Sequence, residues 1–203
     1  MIIIGLTGPT GAGKTTACET FRRLGAAVIN ADNSARKVTE KGSPVLQRLA
    51  EYFGNDILVS GELNRRELAR RAFADKDSTE KLNEIILPFI VEYIRGEIAQ
   101  AEKSGAKSVV LDAPTLFESG CDKICHTTVA LLSDSDQRLL RIIGRDELKQ
   151  EDAALRLQAG KGDEFYNAKA RYVLHNDHSV EQLAADIEKI YSDIIQEYGK
   201  EQP

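Results

Sequence analysis

The stretch Ile2-Ile3-Ile4-Gly5-Leu6-Thr7-Gly8-Pro9-Thr10-Gly11-Ala12-Gly13-Lys14-Thr15-Thr16 decides the fold. Its opening apolar run, residues 2–6, reads as a strand buried on both faces. The pattern G-x-x-x-x-G-K-[ST] comes next, matched at Gly8, Gly13, Lys14 and Thr15. A helical pattern over residues 15–24 follows it. Strand, glycine-rich turn and helix in that order form a phosphate-binding loop. The glycines let the backbone turn tightly, and successive N–H groups then point at one anion at a helix N-terminus. Gly8, Gly11, Ala12, Gly13, Lys14, Thr15 and Thr16 are the candidate nucleotide contacts. Lys14 suits the β- and γ-phosphates, and the Thr15 hydroxyl suits Mg²⁺. The loop lacks the G-x-G-x-x-G order of dinucleotide folds, and no Asn-Lys-x-Asp base-reading sequence is present. ATP with Mg²⁺ is therefore the expected donor.

Beyond the loop, short apolar runs at 26–29, 108–111, 127–132 and 171–174 read as further strands buried on both faces. Helical patterns fall at 32–39, 44–53, 65–73, 78–101, 135–145 and 179–198. In the last, Val180, Leu183, Ala184, Ile187, Ile190, Tyr191, Ile194 and Ile195 make one apolar stripe, and Ser179 with Gln182 has capping-box spacing. Pro88 lies inside the 78–101 pattern, where a kink or restart is expected. Alternating strands and helices predict an α/β fold, a P-loop kinase-like parallel sheet flanked by helices. The gap between the second and third strands is longer than a crossover needs. It predicts a helical insertion on the substrate side.

In open α/β sheets ligands bind beyond the carboxyl ends of the strands. Asn30 and Asp32 fall there after the second strand, and Asp112, Ala113 and Pro114 after the third. Asp32 could accept a proton from an attacking hydroxyl or could cap the helix that starts near residue 33; spacing alone leaves the two open. Arg138, Arg141 and Arg145 recur at three- and four-residue steps. They read either as lid arginines reaching the phosphates or as a solvated basic face paired partly by Asp134 and Glu147. Cys121, Cys125 and His126 lack a sensibly spaced fourth ligand, so structural roles are expected for them rather than zinc.

Composition limits the remaining classes. The 203 residues fit one domain with room for a small subdomain, and 42% hydrophobic residues supply a core. A net charge of -5 argues against a nucleic-acid partner. Three cysteines make no disulfide framework, and the start lacks the features of a signal peptide or membrane span. A cytoplasmic protein with no membrane partner, a monomer or weak oligomer, is expected.

The chain also resembles the dephospho-coenzyme A kinases. The resemblance starts at Gly5-Leu6-Thr7-Gly8 and runs through Val28-Ile29-Asn30-Ala31-Asp32, Ala35-Arg36 and Phe53-Gly54. It continues through Leu82-Asn83, Pro88, Pro114-Thr115-Leu116-Phe117-Glu118 and Arg145-Asp146. It implies ATP-dependent phosphorylation of the ribose 3′-hydroxyl of dephospho-CoA, the last step of coenzyme A synthesis. It implies a core of residues 1–30 and 108–203, a helical CoA-side subdomain at about 31–107 and a lid at about 138–165. The family's base falls on Asp32 and its lid arginines on Arg141 and Arg145. With Lys14 these complete the expected catalytic set. Asn30, Leu87, Thr115, Gly160, Arg171 and His178 depart from the usual family residues, which touches the acceptor and lid contacts. Two alternatives share the loop: another small-molecule or nucleotide kinase, and an inactive nucleotide-binding regulator.

Overall fold

The computed structural model describes residues 1–199. Five strands form one sheet: β1 (Ile2–Thr7), β2 (Ala27–Asn30), β5 (Ser108–Asp112), β6 (Thr127–Leu132) and β7 (Tyr172–His175), in the order β2-β5-β1-β6-β7. β1 pairs parallel with β5 (Ile2 opposite Ser108) and with β6 (Ile4 opposite Thr127), and β6 pairs parallel with β7. The sequence of β1, β5 and β6 is nearly all apolar because both faces are covered. The edge strands β2 and β7 are only half-buried, which corrects the expectation of burial on both faces for every strand.

The chain divides into two compact units, residues 1–29 with 101–203 and residues 30–100. The first holds the sheet, α1 (Lys14–Arg23), α6 (Ser135–Asp146), α7 (Gln150–Gln158), α8 (Asp163–Lys169) and α9 (Val180–Gly199). Ile2, Ile4 and Leu6 of β1 and Val129 and Leu131 of β6 pack with Phe21 of α1 and with Leu183, Ile187 and Ile194 of α9. Phe21 and Tyr191 meet edge-to-face at 5.9 Å, and the Tyr191 hydroxyl bonds Ser108 at 2.7 Å. The stripe read from the sequence is thus the buried face of α9, except that Val180 stays 60% exposed. Ser179 Oγ accepts from Gln182 N at 3.3 Å, the forward half of the capping box.

The second unit holds α2 (Ala31–Lys37), α3 (Pro44–Phe53), α4 (Arg65–Ala72) and most of α5 (Lys76–Lys103), with a short hairpin of β3 (Leu58–Val59) and β4 (Glu62–Leu63). Its own core gathers Val45, Leu49, Phe53, Ile57, Leu68 and Ala72. α5 runs through Pro88 without restarting. Leu82, Ile85, Ile86 and Phe89 pack against that core, and Ile90 and Ile94 are buried beyond, so packing on both sides outweighs the backbone bond that proline removes.

Candidate functional site

β1 is the switch point of the sheet. The chain leaves it for β2 and β5 on one side and for β6 and β7 on the other. Open sheets place ligands at that point, beyond the carboxyl end of the strand. There the loop from Gly8 to Gly13 begins, with positive φ at Gly8, Gly11 and Gly13. All three glycines are required by contact as well as by torsion, Gly11 because a Cβ there would stand 2.8 Å from the Arg138 carbonyl oxygen. A Cβ on Gly8 would stand 2.1 Å from the Leu131 carbonyl oxygen, and one on Gly13 would stand 2.3 Å from Asn176 Nδ2. Lys14 Nζ donates to Gly8 O at 2.7 Å and to Pro9 O at 3.4 Å, so its charge stays with the loop. Thr15 is exposed and Thr16 half-buried in the first turn of α1. All seven predicted nucleotide-contact residues therefore lie on one continuous loop and helix start.

Asp112 ends β5, beside β1, and faces α1. Burial first and then the Asp112 carboxylate push the Cys18 thiol up to about 12, so Cys18 stays a neutral thiol against that carboxylate. Cys18 follows Thr15 by three residues on the same helix, which puts Asp112 on the side of α1 that Thr15 shares. A hydroxyl and a carboxylate are hard oxygen donors, the kind Mg²⁺ takes in ones and twos beside phosphate oxygens.

The three arginines of α6 divide. Arg138 is only 7% exposed and donates from Nε to Thr10 O at 3.0 Å. Arg141 donates from Nη1 to Gly11 O (3.3 Å) and Ser133 Oγ (3.0 Å), and from Nη2 to Gln137 Oε1 (3.0 Å) and Asn176 O (2.9 Å). These two are tied to the phosphate loop, so the solvated-face reading fails for them. Arg145 is exposed and pairs with Asp146 at 2.7 and 2.8 Å, which holds the Asp146 carboxyl below its usual range. Arg156 of α7 binds the same carboxylate.

In the second unit Asp32 is an exposed residue in the first turn of α2. It does not cap that helix. Asn30 does, its side-chain oxygen accepting from Asn33 N at 2.9 Å. Ser34 Oγ bonds Glu97 Oε2 at 2.6 Å and Asn30 O at 3.2 Å, which pins α2 to α5. Leu87 and Pro88 of α5, with Val91, line an open cavity of about 590 Å³ edged by Glu80, Asn83 and Glu84.

Cys121, Cys125 and His126 have plain structural uses. His126 exchanges two bonds with Ile3, N to Ile3 O at 2.8 Å and Nδ1 from Ile3 N at 2.9 Å. Burial raises both thiols, Cys125 to about 12. Among the described residues no group of three or more His, Cys, Asp or Glu is arranged to hold a metal, and no helix is long and apolar enough to cross a membrane.

A parallel sheet, a phosphate loop at its switch point and cations fixed to that loop define a P-loop phosphotransferase of the kinase type. The dephospho-CoA kinase family model matches residues 2–182. A dephospho-CoA kinase of Corynebacterium diphtheriae is 40% identical over 191 residues, 92% of this chain and 96% of the relative. A crystal structure from Thermus thermophilus superposes with a TM-score of 0.79 at 30% identity, covering 95% of this chain and 97% of that one. Shikimate kinase from Acinetobacter baumannii, at 17% identity and a TM-score of 0.55 over 97% of this chain and 94% of that one, shares the fold. The chain belongs to the dephospho-CoA kinase family. It is a phosphotransferase, and the family uses ATP.

Asn176 and Ser133 join the site without any sequence motif that marks them. A buried side-chain amide after an edge strand leaves no periodic signal.

Proposed function

We propose that this protein transfers the γ-phosphoryl group of Mg²⁺-ATP to the ribose 3′-hydroxyl of dephospho-CoA, giving coenzyme A and ADP. One observation carries the donor half: the loop with three left-handed glycines at the carboxyl end of β1, with Lys14, Arg138 and Arg141 bonded to it. The acceptor half rests on family membership and on Asp32, two residues past the end of β2.

In this reading the loop N–H groups and Lys14 hold the β- and γ-phosphates. Thr15, with Asp112, would hold Mg²⁺, which neutralises charge on the phosphates. The Asp32 carboxylate accepts the 3′-hydroxyl proton as that oxygen bonds the γ-phosphorus and the bond to the ADP oxygen breaks. Arg141, held by four acceptors, adds a fixed positive charge. Arg145 joins by exchanging Asp146 for phosphate when the lid at about 138–165 closes. The helical unit supplies the acceptor contacts, Leu87 among them. The protein works in the cytoplasm as a monomer or weak oligomer.

The test is ADP release against an acceptor panel. Turnover that needs dephospho-CoA and Mg²⁺, and is not matched by shikimate or nucleosides, is expected. ADP release equal with every acceptor, or with none, would overturn the assignment.

A further inference from the structure

The phosphate loop is held from outside itself, and the hold centres on one side chain. Asn176 follows β7 and is 7% exposed. Its N–H donates to Leu132 O at 2.8 Å, carrying the β6–β7 ladder one residue further. Its side-chain Nδ2 donates to Ala12 O at 2.8 Å. Its own carbonyl accepts from Ser133 Oγ and from Arg141 Nη2, both at 2.9 Å. With Arg138 on Thr10 O and Arg141 on Gly11 O, three successive loop carbonyls each meet a donor from outside the loop.

That arrangement has a directional consequence. A trans peptide unit is planar, with the carbonyl of one residue and the N–H of the next pointing opposite ways. Fixing the carbonyls of Thr10 and Ala12 toward Arg138 and Asn176 turns the N–H groups of Gly11 and Gly13 the other way. In a glycine-rich loop those directions are not set by the loop's own side chains, and ordering them on binding would cost conformational entropy. A loop already held in place binds its anion without that loss.

We propose that Asn176 is a positioning residue for the donor nucleotide. With Ser133, Arg138 and Arg141 it latches the Thr10, Gly11 and Ala12 carbonyls to α6 and to the end of β7, so that the Gly11 and Gly13 N–H groups face the phosphates while the Ala12 N–H stays on Pro9 O. The inference rests on the donor reading given above, that the loop binds ATP. It adds a residue outside the loop motif that sets ATP affinity without touching ATP.

Asn176→Asp tests it, because the shape is kept while the donor to Ala12 O becomes an acceptor. Dissociation constants for ATP and for dephospho-CoA are measured by calorimetry on wild type and variant, with thermal unfolding of the unliganded proteins. ATP is expected to weaken at least about tenfold, the loss for a buried carbonyl left without its donor. Dephospho-CoA affinity should stay within about twofold, and kcat at saturating ATP should fall far less than kcat/KM. Wild-type ATP affinity in the variant overturns the latch, even if its Tm falls, since that marks a purely structural residue. Equal weakening of both ligands overturns it too. A wild-type protein that does not bind ATP sinks the donor reading instead. Should Asn176→Asp not fold, Ser133→Ala reads the same latch from the carbonyl side. A rise of about threefold in the ATP constant alone supports it, and no rise overturns it.

Discussion

Replacing Gly8 with alanine puts a methyl group where the main chain of β6 already stands. The new Cβ would lie 2.1 Å from the Leu131 carbonyl oxygen and 3.1 Å from its carbon, at a residue whose φ is +140°. The obstructing atoms are backbone in the middle of the sheet and cannot rotate away, so β1 and β6 must part by about 1 Å at this point. A side chain held in so sparsely populated a backbone region costs about 1–3 kcal/mol, and the forced overlap adds about 1–3 kcal/mol. The sum of about 2–6 kcal/mol is a large part of the about 5–15 kcal/mol that holds a typical domain together. For a chain of this size it corresponds to a fall of about 4–24 °C in Tm, read by calorimetry. A displacement of about 1 Å at the loop also costs about a hundredfold in turnover. Gly25→Ala is the matched control. Its φ is +90° but nothing lies within 4 Å of the new Cβ, so about 1–2 kcal/mol of torsional strain is the whole effect and ATP affinity is unchanged. A Gly8→Ala protein no less stable than Gly25→Ala, with native ATP affinity, would refute the close-packing account of the loop.

Three further outcomes follow from particular groups. Glu67 of α4 is hydrogen-bonded by Arg70 and Arg71, which lowers its carboxyl to about 2. Since the folded state holds the charged form better than the unfolded chain does, this stabilisation is complete above about pH 4.5 and lost as pH falls toward 2. Glu67→Gln should therefore flatten the acid limb of the stability curve there, and an unchanged limb would contradict the pairing. At pH 8 the three raised thiols should react slowly with a disulfide reagent until the protein is unfolded, and rapid labelling of Cys18 in the native protein would contradict its burial against Asp112. Ile187, fully buried between α9 and the sheet, should cost about 2–5 kcal/mol on truncation to alanine, measured by urea unfolding, and a loss below about 1 kcal/mol would show that this face does not carry the packing.

Much of this was legible in the residues because the physics concerned is local and periodic. The loop announces itself by glycines at fixed spacing, β1 and β6 by nearly continuous apolar runs, and α9 by its stripe. The hairpin at 58–63 escaped because its strands are two residues each, although Ser60-Gly61, both at positive φ, carried a turn signal. α7 escaped because it buries almost nothing: only Ala153 is buried, and Leu155 is 66% exposed. α8 escaped because its seven residues turn the adjacent pair Phe165 and Tyr166 toward Ala130 and Leu132 of β6, and two neighbours make no helical stripe. Capping by Asn30 rather than Asp32 turned on a helix start two residues earlier than the pattern suggested, which lies within the ordinary uncertainty of helix ends. The tie between Asn176 and Ala12 spans 164 positions, and no local pattern encodes a contact that only strand order creates.

The proposed transfer joins a donor loop at the end of β1 and an acceptor base at Asp32. ATP labelled in its γ-phosphoryl group, incubated with dephospho-CoA and Mg²⁺, tests it most directly when wild type and Asp32→Asn are run together. Label on the ribose 3′-oxygen is expected with wild type, and a rate lower by about 10²–10⁴ with Asp32→Asn while ATP affinity stays unchanged. Label on any other acceptor atom, or full activity in Asp32→Asn, would contradict it.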